Sequence, residues 1–365
     1  MRAAILETPG QPFVLADDVE IEEPRAGEVL VRVSHCGVCH SDLSMVNGSF
    51  PGLTPVILGH EAAGTVAAVG EGVTTLAPGD RVVLTPTPSC GECYWCVRDE
   101  HSLCADSSAI VTSSFRDGST RLSRAGATVY RGVGVGAFAE YVVTQVAGAV
   151  KVPDDTPLDV ACVIGCAMQT GVGAVLNTAR VAPGDTVLVA GLGGIGLAAV
   201  QGARIAGATR IIAADPIAER REHAARLGAT DLVDPTTEDL VAATLARTGV
   251  GVDHAFECAG RAALVATLLA ATRNGGATTC VGAPALDEAI VLDPAVLFTA
   301  SGKRLLGCLL GSVNSRREVP RLLDLWRRGL LDLESMITMR GDLADIDRAF
   351  DDLAAGRGIR TVLAI

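Results

Sequence analysis

The sequence predicts an α/β protein in two parts: a β-rich first part, then a doubly wound parallel sheet. Three observations carry this. Up to about residue 160, short apolar runs bounded by Gly or Pro recur about every 8–15 residues, as in a barrel or sandwich. After about Cys166, apolar strands alternate with helical stretches, the pattern of right-handed crossovers. The chain has 365 residues, 49% hydrophobic and 20% charged, enough for two packed cores rather than one.

The elements follow in order. Residues 28–33 alternate, placing Val29, Val31 and Val33 on one face. Stretches 64–70, 79–84 and 137–143 read as further short strands between turn residues. In the second part, strands are expected at 186–190, 210–215, 231–233, 253–257, 277–282 and 304–309. Helices are expected at 195–206, 218–227, 238–247 and 261–273. Past Gly311, a helix at 317–328 and a short strand at 360–364 complete the pattern. The uncharged stretch 186–203 holds five glycines between Asp185 and Arg204. It reads as strand, turn and helix, not as a membrane span.

Net charge is −12, and no run of five basic residues occurs. Nucleic acid and anionic membrane surfaces are therefore disfavoured as partners, since both need basic patches. Eleven cysteines, an odd number, and an opening without an apolar signal core point to reduced thiols and a cytoplasmic location.

Four of those cysteines, Cys90, Cys93, Cys96 and Cys104, lie within fifteen residues in the spacing C-x2-C-x2-C-x7-C. Such steps turn thiolates inward toward one tetrahedral zinc, and four sulfurs leave no open position, so the site is structural. A second motif, Gly191-Leu192-Gly193-Gly194-Ile195-Gly196, follows a strand and opens a helix. Asp215 ends the next strand, 19 residues past the last glycine. That context makes a dinucleotide loop: Gly191 for the turn, Gly193 for close approach of a pyrophosphate, Gly196 for helix packing. Asp215 is placed to bind ribose hydroxyls, and its carboxylate opposes a 2′-phosphate, so NAD is expected over NADP.

Three segments hold further metal donors: Cys36 and Cys39, then His60 and Glu61, then Cys162 and Cys166. One cysteine from the first, one from the last and His60 would give a Cys2His site with an open fourth position, as in catalytic zinc sites. Spacing alone leaves open which cysteines serve.

The order of features resembles the zinc-dependent medium-chain alcohol dehydrogenases along essentially the whole chain. The matching pieces are Gly37-Val38-Cys39-His40-Ser41-Asp42, Gly59-His60-Glu61, the four-cysteine loop, Ile164-Gly165-Cys166, the glycine loop, Phe256-Glu257-Cys258 and Ile359-Arg360-Thr361. The resemblance implies a GroES-like catalytic domain over 1–167, a Rossmann domain over 168–310 and a return to the catalytic domain over 311–365. It implies two zinc ions per subunit, the catalytic one on Cys39, His60 and Cys166, with Glu61 behind as an alternate ligand. Ser41 is implied as the hydroxyl that takes the alcohol proton, and Asp42 as the partner orienting His60. His40, Thr170, Arg220 and Arg360 are implied on the cofactor side. Where many members carry a relay histidine, this chain has Ser44, which leaves the relay without an imidazole.

The expected reaction is reversible hydride transfer between a primary aliphatic, aryl or allylic alcohol and NAD. The pocket is expected from Ser41, Ser44, Pro86, Thr87, the 108–130 insertion, Leu309 and Leu310, mostly small or aliphatic. The alternative is oxidation of a thiol adduct of formaldehyde. Members with that activity carry an arginine four residues past the last structural cysteine, and here that residue is Ser108. A non-catalytic, zinc-stabilised NAD-binding protein is the alternative from another class. The long insertion resembles dimeric members, so a homodimer paired around residues 295–310 is expected, with a tetramer as the alternative.

Overall fold

The computed structural model describes residues 1–365. The chain divides into two compact units. The first comprises Met1–Ala167, Asn314–Gly329 and Leu333–Ile365, and the second Met168–Val313 with Leu330–Asp332.

In the first unit, the strands Glu28–Gly37 and Glu61–Val69 form the centre of a seven-stranded sheet. Val29, Val31 and Val33 are buried on one face while Arg32 between them is exposed, the period-2 pattern of a half-buried strand. The sheet runs outward through Arg81–Leu84 to Ala149–Lys151 on one side. On the other side Arg360–Ala364 pairs antiparallel with Glu28–Gly37, and Ile337–Asp342 pairs parallel with Arg360–Ala364. A smaller sheet orders Tyr130–Arg131, Val56–Ile57, Ala3–Leu6 and Val14–Ala16. Between them lies a core including Ile5, Ile57, Leu58, Val66, Leu84 and Phe138. Phe350 stacks on Phe13 at 5.2 Å and meets Phe138 edge-on at 5.9 Å.

The second unit is a six-stranded parallel sheet. Its order is Asp231–Val233, Arg210–Ala214, Thr186–Ala190, Val252–Glu257, Thr272–Cys280, Arg304–Gly307. Numbered along the chain this is 3-2-1-4-5-6, so the direction of winding switches between Thr186–Ala190 and Val252–Glu257. Leu188, Ile212, Val233, Val252 and Leu268 form its core. No single helix in the chain is long and apolar enough to cross a membrane.

Helix Ala218–Leu227 and strand Asp231–Val233 fall where the pattern placed them, because Gly228 at φ 120° stops the helix. Two strands shift. The 137–143 strand is found at Tyr141–Gln145, because the N–H groups of Ala137 and Phe138 go to the carbonyls of Gly59 and Leu58 instead of a ladder. The 304–309 strand stops at Gly307, before a turn in which Leu310 and Gly311 take positive φ.

Candidate metal centres and dinucleotide loop

Cys39 caps the helix His40–Val46 from an extended conformation, directly after the strand Glu28–Gly37. His60 precedes the strand Glu61–Val69, which Glu61 opens. Cys166 follows the 3-10 turn Cys162–Gly165. These three tracts converge: one donor atom each from Cys39, His60, Glu61 and Cys166 lie within 4.8 Å of one another, and all four residues are buried. Cys36 and Cys162 are buried too but stand outside that group.

The donors are oriented by fixed neighbours. His60 Nδ1 lies 3.1 and 3.0 Å from the two carboxylate oxygens of Asp42. Asp42 Oδ1 also accepts the Gly59 N–H at 2.9 Å. This leaves His60 Nε2 buried with no hydrogen-bond partner, the atom a metal would take. Burial pulls the imidazole down, but Asp42 and Cys39 outweigh it and hold His60 well above its ordinary value. The Cys39 thiol is held well below its usual range by its bond with Cys166, with burial opposing and His60 and Arg360 assisting. It is thus biased toward the thiolate a metal requires.

Glu61 is raised to about 8 by burial, against the pull of Arg360. Arg360 Nε lies 3.3 Å from Glu61 Oε2, and Arg360 Nη1 donates to the Val38 carbonyl at 2.7 Å. Gly37 pairs opposite Glu61, and a Cβ there would lie 2.6 Å from Glu61 Oε2. Only glycine leaves the carboxylate its place. Arg360 is therefore buried beside the donor group within the first unit. Ser41 lies in the first turn of the Cys39-capped helix, beside His40, and Ser44 one turn on.

The four-cysteine loop also closes on itself. Cys90, Cys93, Cys96 and Cys104 offer sulfurs within 4.8 Å of one another, and none is in a disulfide. Cys90 and Cys96 sulfurs are 4.0 Å apart, Cys93 and Cys104 sulfurs 3.8 Å. A tetrahedron with Zn–S of about 2.3 Å has sulfur–sulfur edges of about 3.8 Å, so the set fits zinc. Backbone N–H groups of Cys90, Cys93 and Asp106 donate to these sulfurs at 3.3–3.4 Å. Backbone donors, that of Ala105 foremost, bring Cys93 down to about 6.

In the second unit, Gly191 at φ 88° turns the chain out of its strand, and Gly193 caps the helix Gly194–Ala206. A Cβ at Gly196 would lie 1.8 Å from the Gly191 carbonyl, and one at Gly191 would lie 2.7 Å from the Ala259 nitrogen. A Cβ at Gly193 would meet nothing within 4 Å. The loop is thus packed from behind and open at the position where a pyrophosphate would approach, with free helix N–H groups beneath. Asp215 is buried; its carboxylate accepts the N–H groups of Leu192 at 2.7 Å and Ile217 at 2.9 Å, and Arg220 stands 4.0 Å away. Thr170 is buried in the helix Ala167–Gly173. Sequence reasoning gave no role to Glu257, which proves buried at the switch point, accepting the Ala259 N–H at 2.8 Å. Its place at the end of a predicted strand, in the run Phe256-Glu257-Cys258, was the available signal.

Family comparison agrees with this geometry. The alcohol dehydrogenase GroES-like domain matches residues 25–154, and the zinc-binding dehydrogenase domain matches residues 194–328. The chain belongs to the zinc-dependent medium-chain alcohol dehydrogenases. It is an oxidoreductase of the NAD(P)- and zinc-dependent alcohol dehydrogenase type, with a GroES-like domain and a Rossmann-type sheet. The chain is 39% identical over 367 residues to an S-(hydroxymethyl)glutathione dehydrogenase of Synechocystis sp., covering 99% of each chain. It is 40% identical to one from Escherichia coli O1:K1, again over 99% of each. Among solved structures, benzyl alcohol dehydrogenase from Acinetobacter calcoaceticus superposes with a TM-score of 0.94 at 31% identity, covering 100% of this chain and 99% of the other.

Proposed function

We propose that this alcohol dehydrogenase reversibly oxidises a –CH2OH carbon with NAD. The observation that carries the reading is the buried set of two thiols and one imidazole, with His60 Nε2 unpartnered and Asp42 fixing the ring from the other side. When bound, zinc supplies Lewis-acid polarisation of the alcohol oxygen and NAD supplies the hydride acceptor. Cys39, His60 and Cys166 hold the metal, two thiolates moderating its charge, and Glu61 with Arg360 forms a compensated pair behind them. Ser41 Oγ takes the alcohol proton and passes it on without an imidazole, since Ser44 stands at the usual relay position. Cys90, Cys93, Cys96 and Cys104 hold a second, structural zinc. Asp215 and the glycine loop hold the adenosine half of the cofactor, with Arg220 beside Asp215, and His40 and Thr170 serve the cofactor side.

The relatives' names favour a thiol adduct, –S–CH2OH, as the substrate over a plain alcohol. A second reading, an aryl or aliphatic alcohol, is favoured by Ser108 in place of the thiol-adduct enzymes' arginine. Steady-state rates with NAD and NADP, using formaldehyde plus glutathione, benzyl alcohol and 1-hexanol, separate them. NAD is expected to exceed NADP, and the adduct to give the highest kcat/KM. A higher value for benzyl alcohol establishes the second reading, and no nicotinamide reduction with any substrate overturns both.

The same proposal includes a homodimer. The strand Arg304–Gly307 lies at a sheet edge, and the neighbouring helix Ala295–Ser301 buries none of its residues. Val296 and Leu297 are 66% and 63% exposed there, with Leu286 and Val291 nearby in sequence equally so. An uncovered strand edge beside apolar side chains suits pairing with its own copy. Sedimentation velocity should give twice the chain mass, and Val296→Glu should give monomers; a monomeric parent protein would overturn it.

A further inference from the structure

Two guanidinium groups meet on the ring of Phe115 in the first unit. Arg121 lies 4.6 Å from the ring centroid and Arg131 lies 3.8 Å from it. Their surroundings differ. Arg121 donates to Glu28 twice, at 2.6 and 3.1 Å, with Asp117 at 3.3 Å. Arg131 is 2% exposed, donates Nη2 to the Gly134 carbonyl, and has no acceptor at Nε or Nη1. The nearby carboxylate of Glu28 is already committed to Arg121. Burial pulls the Arg131 guanidinium down to about 9, with Glu28 opposing and Arg121 adding to the pull. It stays charged at neutral pH. A buried charge without a counter-charge is costly, so the arrangement calls for an anion.

A second buried polar group belongs to a residue joined to Arg131 through the backbone. The Ser113 carbonyl accepts the Arg131 N–H at 3.1 Å. Ser113 is 1% exposed, its hydroxyl has no partner, and its φ of 55° is sparsely populated outside glycine. A carboxylate matches a guanidinium and a hydroxyl donor better than a larger phosphate, which would need more donors than these two side chains hold. Arg131 is the register partner of Ile57, three residues before His60. Its backbone lies about 4.8 Å from that of Ile57, and three residues span at most about 10 Å, so it lies within roughly 15 Å of the His60 backbone.

We propose that Arg131 and Ser113 form a carboxylate-binding site in the first unit. The carboxylate comes either from a small free acid or from the far end of the alcohol substrate, and the latter source rests on the proposed function.

The test uses the full zinc-loaded chain. Acetate is expected to raise Tm over chloride at equal ionic strength, Arg131→Met to remove that rise, and Ser113→Gly to reduce it. Glycine tolerates the positive φ, so Ser113→Gly decides the matter if Arg131→Met does not fold. In the second arm, kcat/KM for 6-hydroxyhexanoate relative to 1-hexanol is measured with NAD. A fall in that ratio of roughly ten- to a hundredfold in Arg131→Met identifies the substrate's own carboxylate. An acetate response with an unchanged ratio identifies a free acid. No acetate response together with an unchanged ratio overturns the site, as does equal loss of Tm in both salts for Arg131→Met, which would make Arg131 a packing partner of Phe115 alone. If no alcohol is turned over, the functional reading fails while the acetate arm still decides this one.

Discussion

Cys39→Ser is expected to lower kcat/KM by at least about a thousandfold while leaving the fold and NAD binding in place. Lewis-acid polarisation is worth several kcal/mol, and each 1.4 kcal/mol is about tenfold in rate. Cys39 sits at the start of a short helix, directly after a strand of the first unit's sheet, far in sequence from the glycine loop proposed to bind NAD. Three measurements check this together: steady-state rates, zinc per chain, and NAD affinity by fluorescence titration. Zinc should fall by one ion and NAD affinity should stay within about twofold. Retained turnover would remove Cys39 from the ligand set. Loss of NAD affinity would show that the substitution acts through folding.

Cys96→Ser should act on stability instead. Cys96 is buried in a 3-10 turn, its sulfur 4.0 Å from that of Cys90, and short backbone turns and backbone donors to sulfur order the rest of the loop. A closed zinc site contributes its binding energy to folding. Losing one of four thiolates is expected to cost about 3 kcal/mol or more, roughly a 6–12 °C fall in Tm for a domain of this size. Differential scanning calorimetry with and without added zinc, and zinc per chain, are the checks. An unchanged Tm with one zinc fewer would show that the loop is ordered without its metal.

Much of the second unit was legible because its signals are local. Glycine at a helix C-terminus, an apolar strand of five residues and a glycine loop at a strand–helix junction each act within a few residues. The four-cysteine loop is legible for the same reason. The remaining donors are not: Cys39 and Cys166 are 127 positions apart, and no periodicity brings them together. Only the resemblance in motif order selected them over Cys36 and Cys162. The strand misplaced at 137–143 reflects an apolar run whose N–H groups pair with Leu58 and Gly59 in a distant loop. Arg131 gave no signal, because an arginine before a glycine-rich run reads as a surface residue. Its burial comes from Phe115 and from pairing with Val56–Ile57, both set by tertiary structure.

The route of the chain through the first unit's sheet has a consequence for biosynthesis. Strand Arg360–Ala364 lies beside Glu28–Gly37, inside the sheet, although more than three hundred residues separate them. The inserted parallel-sheet unit is synthesised in full while its host still lacks one inner strand, Arg360–Ala364, and the edge strand Ile337–Asp342 beside it. During that interval Glu61 lacks Arg360 beside it, and the His35–Gly37 end of the central strand lacks its neighbour, while its Glu28–Arg32 end already has Tyr141–Gln145. The parallel-sheet unit therefore leaves the ribosome complete while the unit that gathers Cys39, His60 and Cys166 still waits for its last strands.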